Sequence, residues 1–192
     1  MHSDISVVQT DKQGRHTTNL TSDMFLSRRT IWITGKIDTE TARAVIDQLT
    51  YLDGASAEDI TIRLFSGGGA VDAGLAILDA IRACRCEIVT IATGHAASMA
   101  AFLAAVGGTK GKRYISRHCE MMLHQPLGEV SGSASAIVRA ADHISRIRTL
   151  LNAHLAEATG QTAAQIEADT DHEDRYFTAE EAVAYGLADH IL

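Results

Sequence analysis

Hydrophobic positions in this chain follow two spacings that take turns. Apolar runs of strand character, Thr30-Ile31-Trp32-Ile33-Thr34-Gly35, Ile60–Phe65 and Glu87–Ala92, each precede a stretch of helical character. After the first run, Asp38 is placed to cap a helix through Leu52, with Ala42, Val45, Ile46, Leu49 and Leu52 on one face. After the second, Ser66-Gly67-Gly68-Gly69 reads as a loop and Ala70–Ala83 as a helix with Val71, Leu75, Leu78 and Ile81 along its apolar side. After the third, Met99–Val106 is apolar on every side, the pattern of a buried helix. Strand and helix alternating over short connections is the grammar of a parallel or mixed α/β sheet.

Farther along, Arg113–Ile115 and Glu120–His124 read as short strands, and Pro126, the only proline, follows directly. Ser133–Thr159 is the longest helical pattern. Ile137, Ala141, Ile144, Leu151 and Leu155 form its stripe, Ile147 and Leu150 lie beside it, and Gly160 stops it. A helix of this length projects from a small domain unless another subunit packs on it. The boxes Thr162-x-x-Gln165 and Thr178-x-x-Glu181 each open a short helix. Residues 1–23 are polar; only Ile5–Val8 looks strand-like, and Asp11-Lys12-Gln13-Gly14 reads as a turn. They are taken as a mobile N-terminal segment ahead of one domain over residues 24–192, since no Pro-, Gly- or Ser-rich linker divides the rest.

Composition narrows the function classes. The 192 residues suffice for one well-formed core, and 5% aromatic content with abundant Ala and Gly predicts close helix–sheet packing. A net charge of −7 without a long basic run argues against nucleic acid as a partner. The longest apolar run, Ala96–Val106, is interrupted by Ser98 and too short to span a bilayer. No charged-then-apolar signal opens the chain, so a cytoplasmic protein with no membrane partner is expected. Cys84, Cys86 and Cys119 are odd in number, and Cys84-x-Cys86 is too tight for an ordinary disulfide and has no matching pair for zinc. Reduced thiols, and no metal or organic cofactor, are the expectation.

Chemistry concentrates on Gly94-His95-Ala96-Ala97-Ser98-Met99-Ala100-Ala101-Phe102. Ser98 falls at a strand-to-helix turn, among small neighbours that let the backbone turn sharply. A helix N-terminus, with its unpaired N–H groups, suits a developing oxyanion; it equally suits a serine that merely caps the helix. A nucleophilic serine needs a base, and the base an orienting acid. Of nine histidines, His124 stands out at the end of Met121-Met122-Leu123, although a His at a strand end is often only structural. His95 lies in the same turn as Ser98 and is not placed to swing back. In Asp169-Thr170-Asp171-His172-Glu173-Asp174-Arg175 the last acid, Asp174, abuts Tyr176-Phe177 and is the one most drawn toward the core. The Gly67-Gly68-Gly69 turn could cradle phosphate, but it lacks the pattern of a P-loop or a dinucleotide fingerprint; its other use is to present a backbone N–H to an oxyanion.

Together these motifs resemble the proteolytic subunit of the Clp protease, a serine peptidase family with the Clp/crotonase fold. The resemblance rests on Ser66-Gly67-Gly68-Gly69 with Ala73-Gly74, Gly94-x-Ala96-Ala97-Ser98-Met99-Ala100, and Lys110-Gly111-Lys112-Arg113. It continues through Met122-x-His124-Gln125-Pro126-Leu127-Gly128, Gly132-x-Ala134, Thr159-Gly160-Gln161, Asp174-Arg175 and Glu181-Ala182-x-x-Tyr185-Gly186-Leu187-x-Asp189. It implies Ser98 as nucleophile, His124 as base and then acid, Asp174 as orienting acid, and the N–H groups of Gly69 and Met99 as oxyanion donors. It implies a substrate groove at Gly68, Leu127 and Gly128, with the peptide added as a strand along Leu127–Ala134. It also implies a handle, the helix of about 133–159 with the strand before it, through which two seven-membered rings of this chain interlock. The substrate would be peptides or unfolded protein, and a possible partner an ATP-driven AAA+ unfoldase.

Several positions depart from that family. Gly67 stands where proline is usual, and one extra residue separates Ser98 from His124. A second lies in Thr170–Asp174, which leaves Asp171 as runner-up for the acid. Asp171-His172-Glu173 replaces a usual Asp-Arg that helps couple the rings. Thr61, Arg63 and Ala83 replace aromatic side chains of the outer docking pockets, so weak or altered docking of the usual unfoldase is expected. The alternatives are a non-catalytic ring subunit, although no triad residue is missing, and a crotonase-like acyl-CoA enzyme, for which the chain is short.

Overall fold

A computed structural model describes residues 6–11, 14–171 and 173–192. The readings made on Ile5, on Lys12-Gln13 and on His172 lie outside the described residues. Strands β1 (Ser6–Asp11) and β2 (Gly14–Asn19) pair as an antiparallel hairpin and lead into helix α1 (Leu20–Leu26), capped by the Asn19 side chain on the Ser22 N–H. The polar alternation of Arg15–Asn19 gave no hydrophobic signal for this second strand, and α1 is too short for a periodic one.

The predicted alternation then unfolds as a sheet. Strand β3 (Thr30–Ile37), helix α2 (Thr39–Ala55), strand β4 (Ile60–Gly69), helix α3 (Val71–Ala83), strand β5 (Ile88–Ala97) and helix α4 (Met99–Gly107) follow in order. They are succeeded by β6 (Arg113–Ile115), β7 (Glu120–Leu123), α5 (Ala134–Thr159), α6 (Ala163–Thr170), β8 (Arg175–Phe177), α7 (Ala179–Tyr185) and β9 (His190–Ile191). The seven-stranded sheet runs β3-β4-β5-β6-β9. All neighbours on that path are parallel, as crossover helices require. Strand β5 forks: Thr90–Ala92 pair with β6, whereas His95–Ala97 pair with β7, which is itself antiparallel to β8. That fork aims the ends of β5 and β7 at the same place.

One sheet face is dry. Ile31, Ile33, Ile60, Ile62, Leu64 and Ile88 are buried against α2, α3 and α4. Burying each such side chain is worth about 1.5–3 kcal/mol, whereas an exposed i,i+4 pair such as Arg43–Asp47 contributes about 0.3–0.5 kcal/mol, so this layer decides stability. Helix α4 is buried along nearly its whole length, as its all-round apolar sequence predicts. The opposite face is open: Trp32 and Phe65 remain 45% and 53% exposed, and Arg63 lies over the Trp32 ring at 5.6 Å.

Four local readings change. Ser66–Gly69 is not a free loop but the irregular end of β4, and Gly94–Ala97 is the end of β5 rather than a turn. Both strands continue because they pair across bulges. His95 therefore stands on a strand opposite Glu120. No strand forms among residues 124–133, since an isolated extended segment has no edge here to satisfy its backbone. Of the two capping boxes only Thr178–Glu181 closes reciprocally; Gln165 donates its N–H to Thr162 but turns its side chain to Asp169.

The base of α5 and the C-terminus are joined by one buried cation. Arg113 ion-pairs with Asp189 and donates to the carbonyls of Ala105, Ala158 and Gly186. Burial pushes the Asp189 carboxyl up, but hydrogen bonds from the Arg113 side chain and backbone outweigh it and hold the pKa below the ordinary value. Arg113→Leu should lower unfolding free energy by about 3–5 kcal/mol in denaturant titration at neutral pH. A depressed carboxyl stabilises the fold above its unfolded pKa of about 3.9, and that stabilisation is lost as pH falls through the folded value. The gap between wild type and Arg113→Leu should therefore narrow on acidification below about pH 4.

Candidate active site

Ser98 is the residue at which β5 becomes α4. Its backbone has φ 54° and ψ −124°, a conformation that L-residues rarely hold and that costs about 1–3 kcal/mol. Two backbone bonds maintain it: the Ser98 N–H donates to Met122 O at 2.8 Å, and Ser98 O accepts from the Phe102 N–H at 2.9 Å. The Ser98 hydroxyl makes no capping bond to α4. It lies instead 2.8 Å from His124 Nε2. The capping alternative for Ser98 is thereby excluded: the residue occupies the cap position, but its side chain points elsewhere.

His124 directly follows β7, the strand whose Met122 holds the Ser98 backbone, so one strand positions both residues. His124 Nδ1 is 3.2 Å from Asp174 Oδ1, and the Asp174 side chain is 49% exposed. Asp174 leads directly into β8, the antiparallel partner of β7; Leu123 pairs with Arg175. Pairing across adjacent ends thus brings Asp174 to His124. Asp171 is turned elsewhere. It accepts from Gln125 Nε2 at 2.6 Å and lies 3.7 Å from Arg148 Nη1 on α5.

Gly68 packs directly on Ser98. It has φ +92°, and a Cβ there would stand 2.7 Å from Ser98 Cβ and 3.0 Å from Met99 N, so only glycine allows the approach. Ala70 N–H donates to Ile37 O at 2.7 Å. Gly69 itself packs so closely on β3 that a Cβ added there would overlap the Ile37 carbonyl. Met99, first residue of α4, has an N–H without a partner inside its helix. Ser98 and His124 border a small pocket with Val71, Met99, Phe102, Leu123, Leu151 and Leu155 in its apolar wall, and Asn152 and Thr170 as its other polar members.

Of the expected groove residues, Leu127 is 82% exposed, and Gly128 lies against Ile144 of α5, where a Cβ would come 2.7 Å from Ile144 Cδ1. The apolar pocket drew residues from α3, α4, β7 and α5, and no local spacing announced it. Nor did sequence patterns single out Asp169. It accepts from the Tyr185 hydroxyl at 2.6 Å and ion-pairs with Arg175, the neighbour of Asp174. Arg175 lies 5.0 Å from the rings of both Phe177 and Tyr185, so the chain just after the acid is firmly anchored.

The arrangement is suited to nucleophilic attack by a hydroxyl on a carbonyl, with a histidine to carry the proton. The thiols are not competitors: burial pushes Cys119 up to about 11 and raises Cys84 and Cys86 as well, keeping all three protonated at neutral pH. Among the described residues no group of three or more His, Cys, Asp or Glu side chains could hold a metal ion. No described helix is long and apolar enough to cross a membrane.

Comparison with known proteins follows the same line. The family described as Clp protease matches residues 12–192. An ATP-dependent Clp protease proteolytic subunit of Ligilactobacillus salivarius is 41% identical over 188 residues, covering 97% of this chain and 94% of that protein. The ATP-dependent Clp protease proteolytic subunit 1 of Mycobacterium bovis and that of Mycobacterium tuberculosis are each 40% identical over 191 residues, covering 99% of this chain and 94% of theirs. With a nucleophile-like serine held at a strained strand–helix junction and similarity along nearly its whole length, this chain belongs to the Clp protease family.

Proposed function

We propose that this chain is a serine endopeptidase subunit that hydrolyses peptide bonds of peptides or unfolded proteins. The observation that carries the reading is the continuous line from Ser98 Oγ through His124 to Asp174, at 2.8 and 3.2 Å. Ser98 Oγ attacks the scissile carbonyl while His124 Nε2 takes its proton. The tetrahedral oxyanion is held by the N–H groups of Gly69 and Met99. His124 then returns the proton to the departing amine, leaving an acyl-serine. Water attacks that ester with His124 again as base, and Ser98 is regenerated. Asp174 accepts a hydrogen bond from the Nδ1–H, which fixes the imidazole in the required tautomer and stabilises the imidazolium that forms.

Assembly is part of the reading. Helix α5 has 26 residues, about 39 Å at 1.5 Å per residue, and no residue before Leu151 in it is buried. Ile137, Val138 and Leu150 are exposed on it, as are Trp32 and Phe65 on the open sheet face. Such surfaces suit burial between subunits, α5 as a handle between two stacked seven-membered rings and the sheet face within a ring. The names of the relatives point to an ATP-driven partner. For this chain, Thr61, Arg63 and Ala83 in place of aromatic docking residues favour weakened engagement of the usual unfoldase.

A fluorophosphonate probe should label wild type at Ser98 in a large ring assembly, and Ser98→Ala should remain unlabelled while keeping the same size in solution. An unlabelled wild-type ring would instead point to a non-catalytic subunit. Asp174→Asn should lower kcat by about 10²–10⁴-fold, as loss of the orienting acid does. Asp171→Asn should stay within about tenfold of wild type, and the reverse ranking in steady-state assays would make Asp171 the acid. The apolar pocket beside Ser98 predicts specificity on the acyl side of the cleaved bond. Peptides with Leu or Met there should have kcat/KM about 10²-fold or more above the Asp equivalent, whose charge would be desolvated.

A further inference from the structure

Ser66 is buried at 3% exposure and has no part in the Ser98–His124–Asp174 line. It lies where both ladders of β4 slip: the pairing with β3 shifts between Thr34 and Lys36, and the pairing with β5 shifts between Leu64 and Ser66. The backbone ladder is therefore interrupted just where the chain approaches the reacting serine. The Ser66 hydroxyl bridges the gap. It donates to Gly35 O on β3, at a residue with φ +72°, and accepts from the Gly68 N–H at 3.0 Å. Gly68 is the residue packed on Ser98 Cβ, and Gly69, whose N–H the peptidase reading gives to the oxyanion, is the next. Gly67 cannot supply rigidity itself, because its Cα faces open space and it has no side chain to pack.

We propose that Ser66 is a positioning residue whose hydroxyl clamps the three-glycine end of β4 to β3 and so holds the Gly69 N–H on the oxyanion. The inference rests on the peptidase reading, because only there does the Gly69 N–H have a charge to stabilise. An oxyanion donor acts in the transition state, so a loosened donor costs rate rather than substrate affinity. The clamp bond to Gly68 also shields one amide from exchange with solvent, which can be read without any catalysis.

The test is Ser66→Ala, which removes one oxygen and leaves the assembly size as a control. Hydrogen exchange by mass spectrometry should be faster by about tenfold or more in the segment 66–70 of Ser66→Ala, with the segments around His124 and Asp174 unchanged. The kcat for a peptide should fall about 10–10²-fold with KM within about twofold. The affinity of a peptide boronate, whose tetrahedral adduct places an oxygen on the same donors, should fall by the same factor, and the acidic limb of the pH–rate profile should not move. Unchanged exchange in 66–70 overturns the clamp. Faster exchange with kcat within about twofold, or with a boronate affinity that stays put, overturns its role in positioning the donor. If wild type itself fails to react with the fluorophosphonate, the peptidase reading falls, and the exchange comparison alone decides whether Ser66 holds the turn.

Discussion

The strained backbone of Ser98 is what the rest of the site is built to maintain. At φ 54° the chain leaves β5 and enters α4 within one residue, which lifts the hydroxyl off the helix end and toward His124. That conformation is unfavourable by itself, so its neighbours must over-determine it. Met122 O binds its N–H from one side, the first turn of α4 takes its carbonyl, and Gly68 fills the space beneath it without a side chain. The buried α4 is the anchor for all three. Its apolar, small-residue sequence buries it against the sheet along nearly its whole length.

The same logic extends outward to Asp174. Strand β7 carries both the carbonyl that holds Ser98 and, one residue past its end, His124; β8 pairs antiparallel with β7 and brings Asp174 alongside. The loop before β8 is tied twice, by Arg175 to Asp169 beneath the Tyr185 ring and by Asp171 to Gln125 and Arg148. Arg148 belongs to α5, and it also pairs with Glu167 at 3.1 Å. The long helix that offers its apolar residues to solvent is therefore in direct contact with the segment that delivers Asp174.

The two faces of the sheet divide the labour between folding and association. The dry face, with its fully buried isoleucines, supplies the cohesion that a strained active site draws on. The open face and the first half of α5 contribute little to the single chain and present Trp32, Phe65, Ile137 and Val138 outward. Apolar residues spent on such positions fit a subunit that completes its burial in an assembly.

Much of this was legible along the chain because local chemistry determined it. Alternating strand and helix periods defined β3 to α4, Asp38 marked a true helix cap, and Gly160 ended α5 in a left-handed turn. Ser98 and His124 could be singled out because a strand end and a helix start are local features. Other features follow only from tertiary structure. Which acid faces His124 depends on β7–β8 pairing over fifty residues of chain, and an extra loop residue left Asp171 as runner-up to Asp174. The glycine run looked like a loop because glycine favours turns, yet neighbouring strands on both sides drew it into the sheet. The apolar pocket, the Asp169–Tyr185–Arg175 anchor and the Ser66 clamp join elements remote in sequence. Periodicity records which side of an element is buried, but not which other element buries it; that is decided only when the sheet closes its pairings.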